Sequence, residues 1–224
     1  MTMTESLGRG VYSIAEAARY VGVDTATVGR WAFGYRDYRS IVDPDLPMIG
    51  KRKAFSFLAL MEIYLMARFK AVGIAPEKFR TAAGAVASRE GIAHPFAFEH
   101  LDQFMRHDNR DFFYRSGDDW EQLTGRNRGN ITWNEVVEPY LQEVEFESEY
   151  ARRWFPPNTD RLIVLDPAIR LGAPVISGTR VPTANIMSQV AAGDEDWFVA
   201  ECYGLSVEQV RAASRFEKRL KQAA

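Results

Sequence analysis

A chain of 224 residues with a net charge of −2 is long enough for one large domain or two small ones. Hydrophobic residues make up 46% and charged residues 26%, which is typical of a packed globular protein and not of a disordered one. The chain has a single cysteine, Cys202, which excludes an internal disulfide. Neither a signal peptide nor an apolar stretch of membrane-spanning length is evident, so we expect a cytoplasmic protein that does not contact a membrane.

The charge is unevenly distributed along the chain. Residues 1–90 carry a net charge of +4, residues 91–160 carry −7 and residues 161–224 carry +1. A basic N-terminal part beside an acidic middle indicates a different partner for each. A chance spread of surface charge would produce the same numbers.

The N-terminal part is predicted to be helical. The capping box Ser13–Glu16 opens a helix to about Val21, the segment Gly22–Asp24 forms a turn, and a second helix follows to about Phe33. Two longer helices are expected after a proline-containing loop, at 56–72 and at 76–90, each closed by the glycine that follows.

The middle of the chain is predicted to be mixed. A Thr132–Glu135 capping box opens a helix that should stop near Pro139. Strands are expected at 112–115, 120–124, 144–155 and 162–165, the first two joined by a Gly117–Asp119 turn. Helices return at 182–192, 194–203 and 206–220, and Cys202 is expected to pack on the apolar side of the second of them.

The N-terminal helix pair has the spacing of a helix-turn-helix. Such a unit needs a small residue where its helices cross, a turn residue that tolerates positive φ, and inward-facing apolar residues on its second helix. Ala18, Gly22 and the pair Val28 and Trp31 meet these needs. A helical hairpin in a protein that does not bind DNA would have the same spacing, but the basic segment that follows favours DNA binding.

The candidate DNA contacts lie on the outer face of the second helix and in a wing that follows it. Arginine can read guanine edges, threonine can contact phosphate or a thymine methyl, and the cations of a wing neutralise phosphates. The residues assigned to DNA are Thr25, Thr27, Arg30, Arg36, Lys51, Arg52 and Lys53.

Residues 11–91 resemble the MerR-like winged-helix group. The resemblance rests on Ser13–Trp31, the basic segment, and the helices that begin at Ser56 and Pro76. Typical members continue into a long dimerising coiled coil, whereas an aromatic-rich mixed segment follows here. The resemblance implies double-stranded DNA as a partner, and a homodimer is expected because one such module contacts too little DNA for tight specific binding.

The same spacing recurs near the C-terminus. The counterparts of Ala18, Gly22, Val28 and Trp31 are Ala200, Gly204, Val210 and Ala213. The outer face of this second unit is less basic, so protein binding is at least as well supported as DNA contact.

The C-terminal part closely resembles a small domain of unknown function. The match rests on Val164–Pro167, Gly172–Thr183, Ala192-Gly193 and Tyr203–Ser206. That family occurs as the antitoxin partner of PIN-like toxins and is grouped with VapB-type antitoxins. The resemblance implies an antitoxin that binds its own operator, represses its own operon and neutralises a PIN-like ribonuclease.

Arginines are the candidates for contact with such a toxin. PIN-like ribonucleases hold divalent metal with clustered carboxylates, as the resemblance implies, and arginine pairs carboxylates in a fixed fork. The residues expected to face the toxin are Arg152, Arg153, Arg211, Arg215 and Arg219. For the last three, a solvated helix end whose cations favour the helix dipole is an equal alternative.

Other sites have less support. His94, His100 and His107 fit no common zinc motif and are expected to be surface or satisfied histidines, so we expect no metal. The acidic residues between 102 and 119 fall mostly in turn-like, solvated places, so we expect no catalytic residue, and no cofactor is expected. Gly178-Thr179-Arg180 is interpreted as a turn rather than a binding loop, since it lacks the spacing of a phosphate-binding motif. The aromatic residues of the middle would also suit a ligand pocket, which leaves a ligand-sensing MerR-like regulator as the alternative function.

The sequence therefore predicts an α+β protein, mainly helical, in three parts. These are a winged helix-turn-helix DNA-binding domain at 1–91, a mixed middle segment at 92–160 and a helix-turn-helix-like antitoxin domain at 161–224. The predicted function is that of a DNA-binding antitoxin and not of an enzyme.

Overall fold

The computed structural model describes residues 9–36, 39–49, 51–101, 105–108, 111–116, 119–122 and 133–222, with the backbone alone between 105 and 135. Over these residues the chain is an α+β protein, mainly helical, as its sequence pattern predicts.

The four predicted N-terminal helices are present. They are α1 (Ile14–Val21), α2 (Thr25–Phe33), α3 (Phe57–Ala71) and α4 (Pro76–Glu90). Ser13 and Glu16 form the expected capping box: the Ser13 hydroxyl accepts the Glu16 N–H, and the Glu16 carboxylate accepts the Ser13 N–H. Helix α3 is apolar on nearly every side and is buried along most of its length, so it forms the centre of the main hydrophobic core.

The strands form small antiparallel sheets. They are β1 (Tyr12–Ser13) with β2 (Ala54–Phe55), β3 (Met105–Asp108) with β4 (Asp111–Ser116) and β5 (Asp119–Gln122), β6 (Val144–Glu147) with β7 (Tyr150–Trp154), and β8 (Ile163–Val164) with β9 (Val175–Ile176). Strands β4 and β5 confirm the predicted pair, while β3 was not predicted. Gly117, Asp118, Leu123, Thr124 and Thr132, on which parts of these predictions rest, lie outside the described residues.

Two predictions in the middle of the chain are wrong. Helix α5 (Trp133–Glu143) does not stop at Pro139 but continues through it. It buries Val136, Val137 and Tyr140, and the Tyr140 hydroxyl donates to the Phe96 carbonyl at 2.9 Å, so tertiary packing offsets the hydrogen bond that proline cannot make.

The single strand predicted over 144–155 is in fact the β6–β7 hairpin. Ser148 and Glu149 turn the chain with φ of 51° and 71°, values that local alternation does not reveal. The hairpin places Trp154 in the main core, where its ring centroid lies 4.5 Å from that of Tyr64.

The C-terminal helices are α6 (Thr183–Ala192), α7 (Asp196–Tyr203) and α8 (Val207–Gln222), close to the predicted bounds. They enclose a second core with Ile163 and Ile176 from the β8–β9 pair. Cys202 does not pack as predicted, because it lies on the exposed side of α7.

The second core is joined to the first. The Tyr12 hydroxyl donates to the Gly172 carbonyl at 3.1 Å, and the Val11 N–H donates to the Leu171 carbonyl at 3.0 Å. Trp154 and Leu165 exchange backbone hydrogen bonds of 2.9 and 3.0 Å across the boundary predicted at residue 160. The N- and C-terminal parts are therefore in direct contact.

Candidate nucleic-acid interface

Helices α1 and α2 cross closely because the residues between them are small or inward-facing. Ala18 is 2% exposed and Val28 is fully buried. Gly22 adopts φ 70°, which a β-branched residue would resist, and the Val23 N–H donates to the Ala18 carbonyl at 3.0 Å. Asp24 caps α2 by accepting the Thr27 N–H at 2.8 Å. These contacts fix the packing of α2 against α1 and leave Thr25, Ala26 and Arg30 exposed.

The predicted DNA contacts on and after α2 do not all face outward. Thr25, Arg30 and Arg36 are exposed, as expected. Thr27 is 5% exposed, so its assignment to the outer face is wrong. It lies next to the inward-facing Val28, and its hydroxyl accepts a hydrogen bond from the Arg30 guanidinium at 3.0 Å, which makes it a support for Arg30.

The predicted wing is a tight hairpin. Ile49 and Arg52 exchange backbone hydrogen bonds of 3.0 and 3.1 Å, and Lys51, Arg52 and Lys53 are all exposed. The Lys53 ammonium lies 4.7 Å from the ring centroid of Phe33, so the hairpin leaves its cations beside the C-terminal end of α2. The structure thus brings one residue of the basic triplet, Lys53, against the second helix.

A basic cleft adjoins α2, and the sequence did not predict it. Its volume is about 520 Å³, and the charged side chains that line it are Arg30, Arg39, Lys70, Arg80 and Glu77. The Lys70 ammonium lies 5.5 Å from the Trp31 ring centroid, and the Arg80 guanidinium donates to the Arg39 carbonyl at 3.3 Å. Four cations against one carboxylate make this cleft a suitable place for a phosphate.

Lys70 and Arg80 were missed because they come from α3 and α4, far from α2 in sequence. Lys70 looks like an ordinary cation in the last turn of its helix, and Arg80 like an ordinary cation within α4. Their convergence with Arg30 depends on how the helices pack, and no local pattern records it.

The C-terminal helix pair repeats the geometry of the first. Gly204 adopts φ 64°, and the Leu205 N–H donates to the Ala200 carbonyl at 2.9 Å, as Val23 does to Ala18. Val210 and Ala213 are buried, which confirms the predicted inward positions. Arg211 is exposed and forms an ion pair with Asp196 at 2.9 Å. Arg215 is also exposed, and Arg219 donates to the Pro157 carbonyl at 2.8 Å.

Arg152 and Arg153 hold a buried carboxylate. Both donate to Asp166, which is 2% exposed, and the Arg153 contact measures 2.9 Å. Burial alone would raise the pKa of Asp166, but the hydrogen bonds from Arg153 and Arg152 lower it below its usual value. These arginines therefore link the β6–β7 hairpin to the C-terminal part, an internal role that was not predicted.

A buried charged network lies beneath the N-terminal part. His94 is 5% exposed and is hydrogen-bonded to Glu62 at 3.1 Å and to Asp45 at 3.2 Å. Burial alone would lower the pKa of His94, but the hydrogen bonds to both carboxylates raise it to about 10. His94 is thus a positively charged group held between two acids, consistent with the expectation of a satisfied histidine. The side chain of His107 lies outside the described residues.

The Gly178–Arg180 segment is a turn, with Gly178 at φ 77°. In the described part of the chain no group of histidine, cysteine or acidic side chains is arranged to hold a metal ion. No described helix is long and apolar enough to cross a membrane.

Two known proteins match nearly the whole length of the chain, and a family matches its C-terminal part. Residues 163–216 match a family described as a protein of unknown function, DUF433. A Mycobacterium tuberculosis protein, named as a proposed antitoxin, VapB45, is 28% identical over 91% of this chain and 92% of its own length. The uncharacterized protein Rv2308 of the same organism is 25% identical over 100% of this chain and 96% of its own length.

A solved structure has the same fold. The crystal structure of Rv2018 from Mycobacterium tuberculosis superimposes with a TM-score of 0.69 at 23% sequence identity. It covers 90% of this chain and 96% of that chain. At this identity the likeness concerns the fold alone.

Proposed function

We propose that this chain is a DNA-binding antitoxin that neutralises a PIN-like ribonuclease and represses its own operon. The antitoxin assignment is supported by the similarity to the VapB45 protein over 91% of the chain and by the family match at 163–216. DNA binding is supported by one observation above all, the convergence of Arg30, Arg39, Lys70 and Arg80 in the cleft beside α2.

The proposed DNA interface combines three surfaces. The exposed side of α2 enters the major groove, where Arg30 reads a base edge and Thr27 fixes its guanidinium. The wing cations at 51–53 and the other three cations of the basic cleft, Arg39, Lys70 and Arg80, lie along the phosphates on either side. In this proposal residues 1–91 bind the operator as part of a homodimer, residues 92–160 connect, and residues 161–224 form the antitoxin domain.

The arginines predicted from the sequence to face the toxin differ in how available their side chains are, because some of them already have partners within this chain. Arg215 is exposed without an ion pair among the described residues, so it is the most available to pair with a toxin carboxylate. Arg211 and Arg219 already contact groups of this chain. Arg152 and Arg153 are held by Asp166 and would have to leave a buried partner.

The salt dependence of operator binding tests the DNA interface. The triple variant Lys51→Ala, Arg52→Ala, Lys53→Ala and the double variant Arg39→Ala, Arg80→Ala should each weaken binding to all sequences. The slope of log K against log salt should fall by about one for each phosphate that the variant no longer neutralises. Arg30→Ala should instead reduce discrimination between operator and random DNA.

The matched control is Lys218→Ala with Lys221→Ala, which removes two exposed cations from α8. This control should leave both affinity and slope unchanged if DNA binds at the N-terminal part. An unchanged slope in the wing variant and the cleft variant would contradict the proposed interface.

A further inference from the structure

Helix α7 presents two large aromatic side chains to solvent. Trp197 is 61% exposed and Phe198 is 45% exposed, and their rings meet edge to face with centroids 5.9 Å apart. On the opposite side of the same helix, Val199 and Ala200 are buried in the second core. The helix is therefore fully packed on one side, so the aromatic pair contributes nothing to that core and leaves a large apolar area in water.

The exposed residues form one continuous stripe. Trp197, Phe198, Glu201 and Cys202 lie within α7 at the spacing i, i+1, i+4, i+5, which places them on one side of the helix, and every one of them is exposed. We call these four residues the α7 face. A helix that docks in a groove of another protein presents side chains at such spacing.

The charge around this face limits what can cover it. Residues 193–203 contain four acidic residues and no lysine or arginine. Arg211 of α8 is already paired with Asp196 at 2.9 Å. If a second copy of the same face docked here, the carboxylates of the two copies would repel each other. The complementary partner is a protein with an apolar pocket rimmed by cations.

We propose that the α7 face is the surface on which the toxin docks, with Trp197 and Phe198 filling an apolar pocket and the surrounding carboxylates pairing with cations. This inference rests on the proposed antitoxin function. A ribonuclease needs cations around its active site to hold RNA phosphates, and the same cations suit an acidic rim. Occupying them would also exclude RNA from the toxin.

The test uses the full-length chain and the purified protein encoded by the reading frame adjacent to its own. Trp197→Ala with Phe198→Ala should weaken the complex at least about 30-fold in a titration, because exposed aromatic residues at the centre of an interface are its usual hot spots. The matched control is Leu171→Ala, which removes an apolar side chain that is 47% exposed elsewhere in the C-terminal part and should leave affinity unchanged. Operator binding and circular dichroism should be unchanged in both variants, because the substituted side chains lie outside the cores.

Cys202 provides a second readout that needs no substitution. It is the single cysteine of the chain and lies on the α7 face, so alkylation by a maleimide should be fast in the free protein and at least about tenfold slower in the complex.

The outcomes separate the two proposals. If the wild-type chain does not bind the protein encoded by the adjacent reading frame, both the proposed antitoxin function and the proposed docking surface are wrong. If the wild type binds but the double aromatic variant binds equally well and Cys202 remains reactive, only the docking surface is wrong. A double variant that changes from dimer to monomer in sedimentation would assign the α7 face to self-association and would also overturn this inference.

Discussion

Gly172 should tolerate alanine much less well than Gly178, although both residues have left-handed backbone. Gly172 has φ +90°, and a Cβ built on it would lie 1.9 Å from the Tyr12 hydroxyl and 2.6 Å from the ring carbon that bears it. Gly178 has φ +77° with no atom within 4 Å of such a Cβ. The pair therefore separates backbone strain, which both variants share, from the packing of Tyr12 against the C-terminal part.

The expected magnitudes follow from these distances. Left-handed backbone costs an alanine about 1–2 kcal/mol, and this is the whole expected loss for Gly178→Ala. Gly172→Ala adds about 1–3 kcal/mol for overpacking and about 1 kcal/mol for the displaced hydrogen bond from Tyr12 to the Gly172 carbonyl. We expect its free energy of unfolding to fall by about 3–6 kcal/mol.

Urea unfolding at neutral pH, followed by tryptophan fluorescence, measures both variants on the same scale. A difference of about 2–4 kcal/mol between them would support a rigid junction between Tyr12 and the C-terminal part. Equal losses, within about 0.5 kcal/mol, would show that Tyr12 moves away freely and that the two parts are not held together there.

Two further predictions concern the buried charges. The pKa of His94 is raised to about 10 in the folded chain, so the stabilisation that His94 gives is complete below about pH 6.5 and is lost as the pH rises toward 10. His94→Gln should therefore lower the free energy of unfolding by a few kcal/mol at pH 6.5 and flatten the decline of that free energy between pH 6.5 and 10. A decline as steep as that of the wild type would contradict the charged network. Asp166→Asn should lower the free energy of unfolding in urea by about 1–3 kcal/mol, since it removes the buried charged partner of two part-exposed arginines. The control Glu147→Gln, at a carboxylate 71% exposed, should lower it by at most about 0.5 kcal/mol. Equal losses in the two variants would refute the role given to Asp166.

The features that the sequence predicted well are local ones. The capping box at Ser13, the start of α3 near Ser56, and the left-handed turns at Gly22 and Gly204 depend on a few neighbouring residues, and each was placed correctly. The repeated helix pair was recognisable for the same reason, because its inward residues follow a fixed spacing.

The features that were missed depend on contacts between distant segments. Thr27 looks like an outer-face residue in a helical projection, but the packing of α2 buries it. Pro139 stops an isolated helix, whereas the packed face of α5 carries the helix past it. The partners of Asp166 and of His94 lie 13 to 49 residues away, so no local pattern revealed these ion pairs.

The most direct test of the antitoxin proposal is the ribonuclease activity of the protein encoded beside this chain. That protein would be purified and incubated with a labelled RNA substrate, with and without an equimolar amount of the full-length chain. The proposal predicts that RNA is cleaved by the partner alone and that cleavage is suppressed when the chain is added. Undiminished cleavage by the partner in the presence of excess folded chain would contradict the central claim.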